Sequence, residues 1–314
     1  MKILAVVVRY KVSLQDSETI NSIVQNFSVY PELADKIEIL IWDNSPSPLS
    51  SEDIALPFKA IYRHSSSNLG VSGAYNAALK YAEQINLPWL LLLDQDSSLP
   101  PHFLMSIYGY AEKLLEEKHI AAVAPFLVDG NLSISPGEIK FNRVKLLKPP
   151  LEGVPRGILY AANSGTLMRV ESLREIGGFD EEFWLDLSDI VVFHRLYEKG
   201  KFLYVAGDLR VPHKVTLNDY DGSMSPQRYI NFVSAESAYW DSYRSFWENS
   251  IQTARLFLRA VKQRVRYENK AYAKITLQYA LARVFRSRGR RLCEWRQRAL
   301  ARNLPLIEKG KVVS

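Results

Sequence analysis

The sequence predicts an α/β domain with a mostly parallel, helix-covered sheet, followed by a helical C-terminal region. Two observations carry this expectation. Apolar runs of strand length alternate with helical stretches through the first half of the chain. From about Ser225 the pattern becomes helical, aromatic and then strongly basic. The expected division is residues 1–222 for the α/β domain and 223–314 for the helical region.

The elements follow in order. Ile3 to Arg9 is an apolar run that reads as a first buried strand, and Asp16 to Phe27 as a helix. Ile37 to Trp42 is the next strand and ends in the loop Asp43-Asn44-Ser45-Pro46-Ser47-Pro48. Phe58 to Arg63 is a third strand, and Val71 to Gln84 a helix rich in Ala and Tyr. Four consecutive leucines, Leu90 to Leu93, have the continuous apolar character of a strand buried on both faces. A helix over Pro101 to Lys118 and a strand over Ile120 to Val128 come next. Gly, Pro and Lys loosen the pattern from Asp129 to Ile158, which reads as an irregular surface segment. Compact alternation returns over Leu159 to Arg169, Gly177 to Gly200 and Phe202 to His213.

Composition narrows the function. Of 314 residues 47% are hydrophobic, enough for a sizeable core. A single cysteine, Cys293, excludes an intramolecular disulfide framework and fits a reducing compartment. No stretch approaches the roughly 20 apolar residues that cross a bilayer. The net charge of +6 hides an asymmetry: residues 251–302 hold 15 Lys/Arg against Glu268 and Glu294, so +13. With +1 from residues 303–314, the remaining residues 1–250 sit near −8. An acidic body with a basic end implies two different partners.

Polar loops end three of the early strands: Arg9-Tyr10, Asp43-Asn44-Ser45 and Asp94-Gln95-Asp96. Ligands of open α/β sheets bind outside the carboxyl ends of strands. Asp94 and Asp96 could hold a divalent cation and the diphosphate it bridges, or could be an ordinary polar turn. Gly70 and Gly73, in Asn68-Leu69-Gly70-Val71-Ser72-Gly73-Ala74-Tyr75-Asn76, allow close backbone approach at a helix start. Their spacing is not the dinucleotide fingerprint, and a plain tight turn explains them equally. Asp186 and Asp189, three apart, read as sharing one face of a helix turn, where one could act as a general base or both could cap a helix. His213 follows a strand and a proline, as a metal ligand or as a surface residue.

In this order the residues resemble glycosyltransferase family 2, the inverting nucleotide-sugar transferases with a GT-A fold. The resemblance runs over residues 1–220: Tyr10, Asp43-Asn44-Ser45, Asn68-Leu69-Gly70 with Asn76, Asp94-Gln95-Asp96, Gly178-Phe179-Asp180-Glu181, Asp189 with Arg195, and His213. Leu93-Asp94-Gln95-Asp96-Ser97 and Phe183-Trp184-Leu185-Asp186-Leu187-Ser188-Asp189 look most like the bacterial rhamnosyltransferase subgroup. The resemblance implies that Asp43 reads the pyrimidine edge beside Arg9 or Tyr10. It implies that Asn68, Gly70, Asn76 and Gln95 line the donor pocket. Asp94 would organise ribose and metal, with Asp96 and His213 holding Mg²⁺ or Mn²⁺. Asp189, six positions before Arg195, would be the catalytic base, with Asp186, Trp184 and Gly165 on the acceptor side. Two departures fall on the acceptor side: Val191 where relatives carry an acid, and Thr216 in Lys214-Val215-Thr216 where they often carry glycine. A processive synthase is disfavoured, because neither a Q-x-x-R-W signature nor membrane helices are evident.

The expected function is therefore metal-dependent, inverting transfer of one sugar, L-rhamnose from dTDP-β-L-rhamnose, onto a lipid-linked surface glycan. Another UDP- or dTDP-sugar is the alternative donor. A sugar nucleotidyltransferase is disfavoured by the absence of glycine in Arg9-Tyr10-Lys11-Val12-Ser13, and a non-catalytic scaffold by the presence of Asp94, Asp96 and Asp189. Arg283, Arg286, Arg288, Arg290, Arg291, Arg296, Arg298 and Arg302, interleaved with Leu281, Val284, Phe285, Leu292 and Trp295, predict contact with an anionic membrane. The alternative is a solvated helix face or a homodimer interface. No nucleic-acid motif accompanies the charge. The expected location is cytoplasmic, peripheral at the inner face of the bacterial cell membrane.

Overall fold

The computed structural model describes residues 1–140, 143–213 and 224–302. The expected boundary near residue 222 and the stretch Lys214-Val215-Thr216 lie outside them. Two compact units emerge. One is formed by Met1–Lys140, Val144–Asp180 and the chain from Ser188 to His213; the other by Glu181–Leu187 and the helices beyond residue 223.

The first unit is built on strands β1 (Ile3–Arg9), β2 (Ile37–Asp43), β3 (Ala60–His64), β4 (Trp89–Asp94) and β5 (Ile120–Asp129). Helices α1 (Glu18–Val29), α2 (Gly70–Gln84) and α3 (Phe103–Lys113) connect them. β1 pairs in parallel with β2 and β4, and β2 with β3. β1 and β4 are buried along nearly their whole length because helices cover both faces.

The expected irregular segment after Asp129 contains regular structure. β6 (Leu132–Ser135) folds back on β5, while β7 (Gly137–Lys140), β8 (Arg143–Leu146) and β9 (Leu159–Tyr160) form a small separate sheet. Asp129-Gly130, with Gly130 at φ 57°, is the hairpin signal that marks the first of these turns. β10 (Leu167–Arg169) then enters the main sheet antiparallel between β4 and β5. After α4 (Val170–Glu175) and α5 (Ser188–Glu198), β11 (Phe202–Pro212) pairs in parallel with β5. The main sheet runs β11-β5-β10-β4-β1-β2-β3, with β6 beside β5.

Arg169 at the end of β10 shows how a buried cation is accommodated. Its guanidinium donates to the carbonyls of Ile120, Leu114, Leu115 and Glu117 and stacks 4.2 Å from the Trp89 ring. The second unit contains α6 (Pro226–Tyr243), α7 (Phe246–Arg266), α8 (Ala271–Phe285) and α9 (Arg288–Arg302). Among the described residues, no helix is long and apolar enough to cross a membrane.

Candidate active site

Strand register assembles the site. Arg9 lies opposite Asp43, Asp43 opposite His64, and Asp94 opposite Val8. The carboxyl ends of β1, β2, β3 and β4 therefore form one rim, where β2 and β4 flank β1 and the connections diverge.

On one side of the rim Asp43 is fully buried and densely partnered. Arg9 donates to Asp43 Oδ2 in an ion pair, and the Tyr62 hydroxyl donates to the same oxygen at 2.5 Å. The Ser45 amide donates to Oδ1 at 2.9 Å. Burial pushes the Asp43 carboxyl up, but hydrogen bonds from Ser45 and Tyr62 and the charge of Arg9 outweigh it and hold the group below its ordinary value. Asn44 fixes the neighbouring loop: its amide donates to the Gly70 carbonyl at 2.9 Å and accepts from the Leu69 amide at 3.2 Å. Asn68 (φ 41°) and Gly70 (φ 69°) take left-handed backbone there, and Asn68 Oδ1 accepts from the Gly70 amide.

The loop after β4 is pinned from below. Thr19 Oγ1 donates to the Asp94 carbonyl at 2.5 Å and accepts from the Ser97 amide at 2.8 Å. Ser17, the N-cap of α1, donates to the Gln95 carbonyl at 2.7 Å. Gln95 Oε1 accepts from the Tyr10 amide at 2.8 Å, tying the loop after β4 to the one after β1. Asp96 is held exposed, with Asp94 half-buried behind it.

Asp94 and Tyr75 form the hub. Tyr75, fully buried on α2, donates to Asp94 Oδ1 at 3.0 Å. Burial, then the charges of Asp94, Asp189 and Asp96, drive the Tyr75 phenol well above its ordinary value. Three carboxylates, from the end of β4, the loop after it and α5, thus act on one ring. Burial, followed by the repulsion of Asp96, lifts Asp94 to about 6, opposed by the Tyr75 hydrogen bond and the charge of His213. Asp189 also raises Tyr160, after burial of that ring.

Asp189 stands in the first turn of α5, next to Ser188, whose hydroxyl accepts from the Asn163 amide at 2.9 Å. Asp186 does not share that turn. α5 begins only at Ser188, and Leu187 before it is left-handed at φ 60°. Asp186 belongs to the helical unit and is ion-paired with Arg228 of α6 at 2.5 Å. Trp184 lies in that unit too. Gly165 is buried in the turn before β10 at φ 78°, where an added Cβ would come within 3.1 Å of Pro125.

Asn76 and Arg195 act on the backbone. The Asn76 amide donates to the Phe179 carbonyl at 2.9 Å and its oxygen accepts from the Phe179 amide at 2.8 Å. Arg195 donates to the carbonyls of Ile176 and Gly178. Gly178 passes between them at φ 77°, and a Cβ there would sit 2.5 Å from Asn76 Oδ1. Gly178→Ala is expected to cost about 2 kcal/mol or more from the left-handed backbone and the clash together, read as a lowered midpoint in denaturant unfolding. An unchanged midpoint would remove the clamp from the account.

Tyr75, Tyr62 and Thr19 join the site only through the fold. Tyr75 carried a usable signal, being part of the Asn68–Asn76 motif. Tyr62 and Thr19 carry none, because they lie within an ordinary strand run and an ordinary helix run, outside the polar loops.

The Glycosyl transferase family 2 model matches residues 17–177, just over half of the chain. The chain belongs to glycosyl transferase family 2. The matched span includes Asp43, Asp94 and Asp96 and stops before Asp189 and His213. No curated protein sequence matches. Among solved structures, GalNAc-T7 with UDP, GalNAc and Mn²⁺ superposes with TM-score 0.51 at 13% identity, over 88% of this chain and 55% of that one. Staphylococcus aureus TarS 1–349 superposes with TM-score 0.49 at 16% identity, over 95% and 92% of the two chains. The architecture is the GT-A fold with C-terminal helices. As a family 2 member, the protein is a glycosyltransferase, with a nucleotide-sugar donor and a saccharide acceptor.

Proposed function

We propose that this family 2 glycosyltransferase transfers a single sugar with inversion, with Asp189 as base and the Asp94–Asp96 pair holding a Mg²⁺- or Mn²⁺-bound donor diphosphate. The observation that carries the reading is the hydrogen bond from buried Tyr75 to Asp94 on a rim where β1, β2 and β4 end in register, with the charges of Asp189 and Asp96 also acting on that ring. Arg9 and Tyr10 would receive the nucleotide base, with buried Asp43 acting through Arg9, and the loop at Asn68 and Gly70 would border it, with Asn76 acting through Phe179.

The residues fit a cation. Among the described residues no three His, Cys, Asp or Glu side chains form a ready-made cage. Two adjacent carboxylates are nevertheless enough for Mg²⁺, which takes its other ligands from substrate phosphate and water. The lifted Asp94 carboxyl reflects burial and repulsion that a cation would relieve. Asp94 and Asp96 would hold the ion with His213 near them, and the ion would neutralise charge on the departing diphosphate. Asp189 takes the proton from the acceptor hydroxyl as its oxygen bonds to the anomeric carbon. The bond from that carbon to the diphosphate breaks, and the nucleotide leaves with the electron pair. One carboxylate suffices because the diphosphate departs without a proton donor.

For the finer assignment, dTDP-β-L-rhamnose is the proposed donor, on the resemblance of the Leu93–Ser97 and Phe183–Asp189 segments to rhamnosyltransferases. The acceptor is a lipid-linked glycan at the inner face of the cell membrane. Exposed Arg288 and Arg298 support that location, and Arg286, Arg290 and Arg296 add to it only in part, being paired with Glu294 and Glu182. Arg283 and Arg291 do not contribute, since both are paired with buried Asp241. The test is nucleotide release from a panel of nucleotide sugars, with and without acceptor, divalent metal and chelator. Turnover with dTDP-rhamnose, its loss with chelator, and a loss of at least about 100-fold in Asp96→Asn are expected. No turnover with any donor would sink the reading; metal-independent turnover would sink the role of Asp94 and Asp96 alone.

A further inference from the structure

Helix α7 carries a stripe that the catalytic reading does not use. Trp247, Ile251, Ala254, Leu258, Val261 and Val265 recur at alternating steps of four and three, the spacing of a coiled-coil seam. All six are exposed, Trp247 at 76%, Leu258 at 71% and Val265 at 81%. The opposite face is committed inward. Gln252, Leu256, Ala260 and Gln263 are buried, Gln263 bonds Tyr229 and Thr276 at 2.8 and 2.7 Å, and Arg259 pairs with Glu236 through two 2.7 Å contacts. A capping box at Ser245 and Glu248 fixes the start of the helix. The stripe therefore cannot turn inward without breaking the unit that holds it out.

We infer that α7 is a self-association surface, on which two copies of this chain pair as an antiparallel, two-fold coiled coil. Turned end for end, every seam position meets another seam position. Trp247 meets Val265 of the second copy, Ile251 meets Val261, and the small Ala254 meets the large Leu258. A two-fold interface requires this self-complementarity. The antiparallel arrangement also sets small Ala254 against large Leu258, whereas the parallel one pairs small with small and large with large. The parallel one matches Ser250 with Arg255 and Phe257 with Lys262, pairs that set a cation against a neutral side chain. Its cost is Arg255 facing its own copy, a like-charge surface contact of a few tenths of a kcal/mol.

The seam reaches the lower end of the size range of stable interfaces. It spans roughly 27 Å, and its exposed side chains amount to on the order of 600 Å² per copy, against about 800 Å² in a standard interface. A seam two residues wide is the mark of a helix partner, whereas helices lying in a membrane present a broad apolar face.

The test uses the full chain. Light scattering after size exclusion should give twice 35.9 kDa at micromolar concentration, and Leu258→Glu/Val261→Glu should halve that mass with an unchanged circular-dichroism spectrum. In a Cys293→Ser background, Trp247→Cys and Val265→Cys proteins should form disulfide-linked dimers only when mixed. Linkage of either protein with itself would overturn the antiparallel geometry. A wild-type monomer, or a dimer that survives the double substitution, would overturn the interface. A monomer whose sedimentation with phosphatidylglycerol vesicles is abolished by Leu258→Glu/Val261→Glu would assign the stripe to a lipid surface instead.

Discussion

Asp189→Asn is expected to lower the transfer rate by roughly 10²- to 10⁴-fold, the range of a positioned general base, while leaving the affinity for the nucleotide sugar unchanged. The amide keeps the size of the carboxylate and its place on α5 but cannot take the acceptor proton. Asp186→Asn is the matched control. Asp186 is already consumed by Arg228 in the helical unit, so its replacement should lower thermal stability before it touches the chemical step. Steady-state rates with and without acceptor, alongside donor titration by calorimetry, separate the two. Retained transfer in Asp189→Asn would remove Asp189 from the base role.

The second large effect is on stability. Asp43→Ala leaves Arg9 buried without its counter-ion and deprives Tyr62 and the Ser45 amide of their acceptor. Breaking a buried pair from one side costs about 3–5 kcal/mol. In a unit of this size, that is a fall of roughly 10 °C in melting temperature. Arg9→Met/Asp43→Leu should recover much of the loss, because removing both charges also removes the stranded one. The Asp43 carboxyl is lower in the folded chain than in the unfolded one, so its contribution is fully present above the ordinary carboxylate value and is lost as pH falls through the native value. Wild type should therefore lose its advantage over the double variant only in acid. A difference that persists unchanged to low pH would show that cavity formation, rather than charge, dominates.

Legibility differed from one element to the next. Leu90 to Leu93 could be read directly, because four apolar residues ending in Asp-Gln-Asp make a buried strand with a polar rim under almost any packing. β10 was invisible as a sheet member. Three residues carry no periodicity, and their antiparallel place between β4 and β5 depends on both neighbours. The hairpin at Asp129-Gly130 had a local signal masked by the Lys- and Pro-rich stretch after it.

The candidate site divides along the same line. Its acids were legible because a strand end is a local event: the apolar run stops and a polar loop begins. Which of them act together was not legible, since Arg9, Asp43 and Asp94 become neighbours only through hydrogen-bonded register between segments tens of residues apart. Asp186 and Asp189 make the contrast plainest. A three-residue spacing implies one helix face, yet left-handed Leu187 and the Arg228 ion pair assign the two acids to separate units. Chain-local patterning thus determined which chemistry is available and in what order. Tertiary packing alone decided the convergence on Tyr75, the use of Asn76 as a backbone clamp and the outward face of α7, because each depends on partners that no sequence window contains.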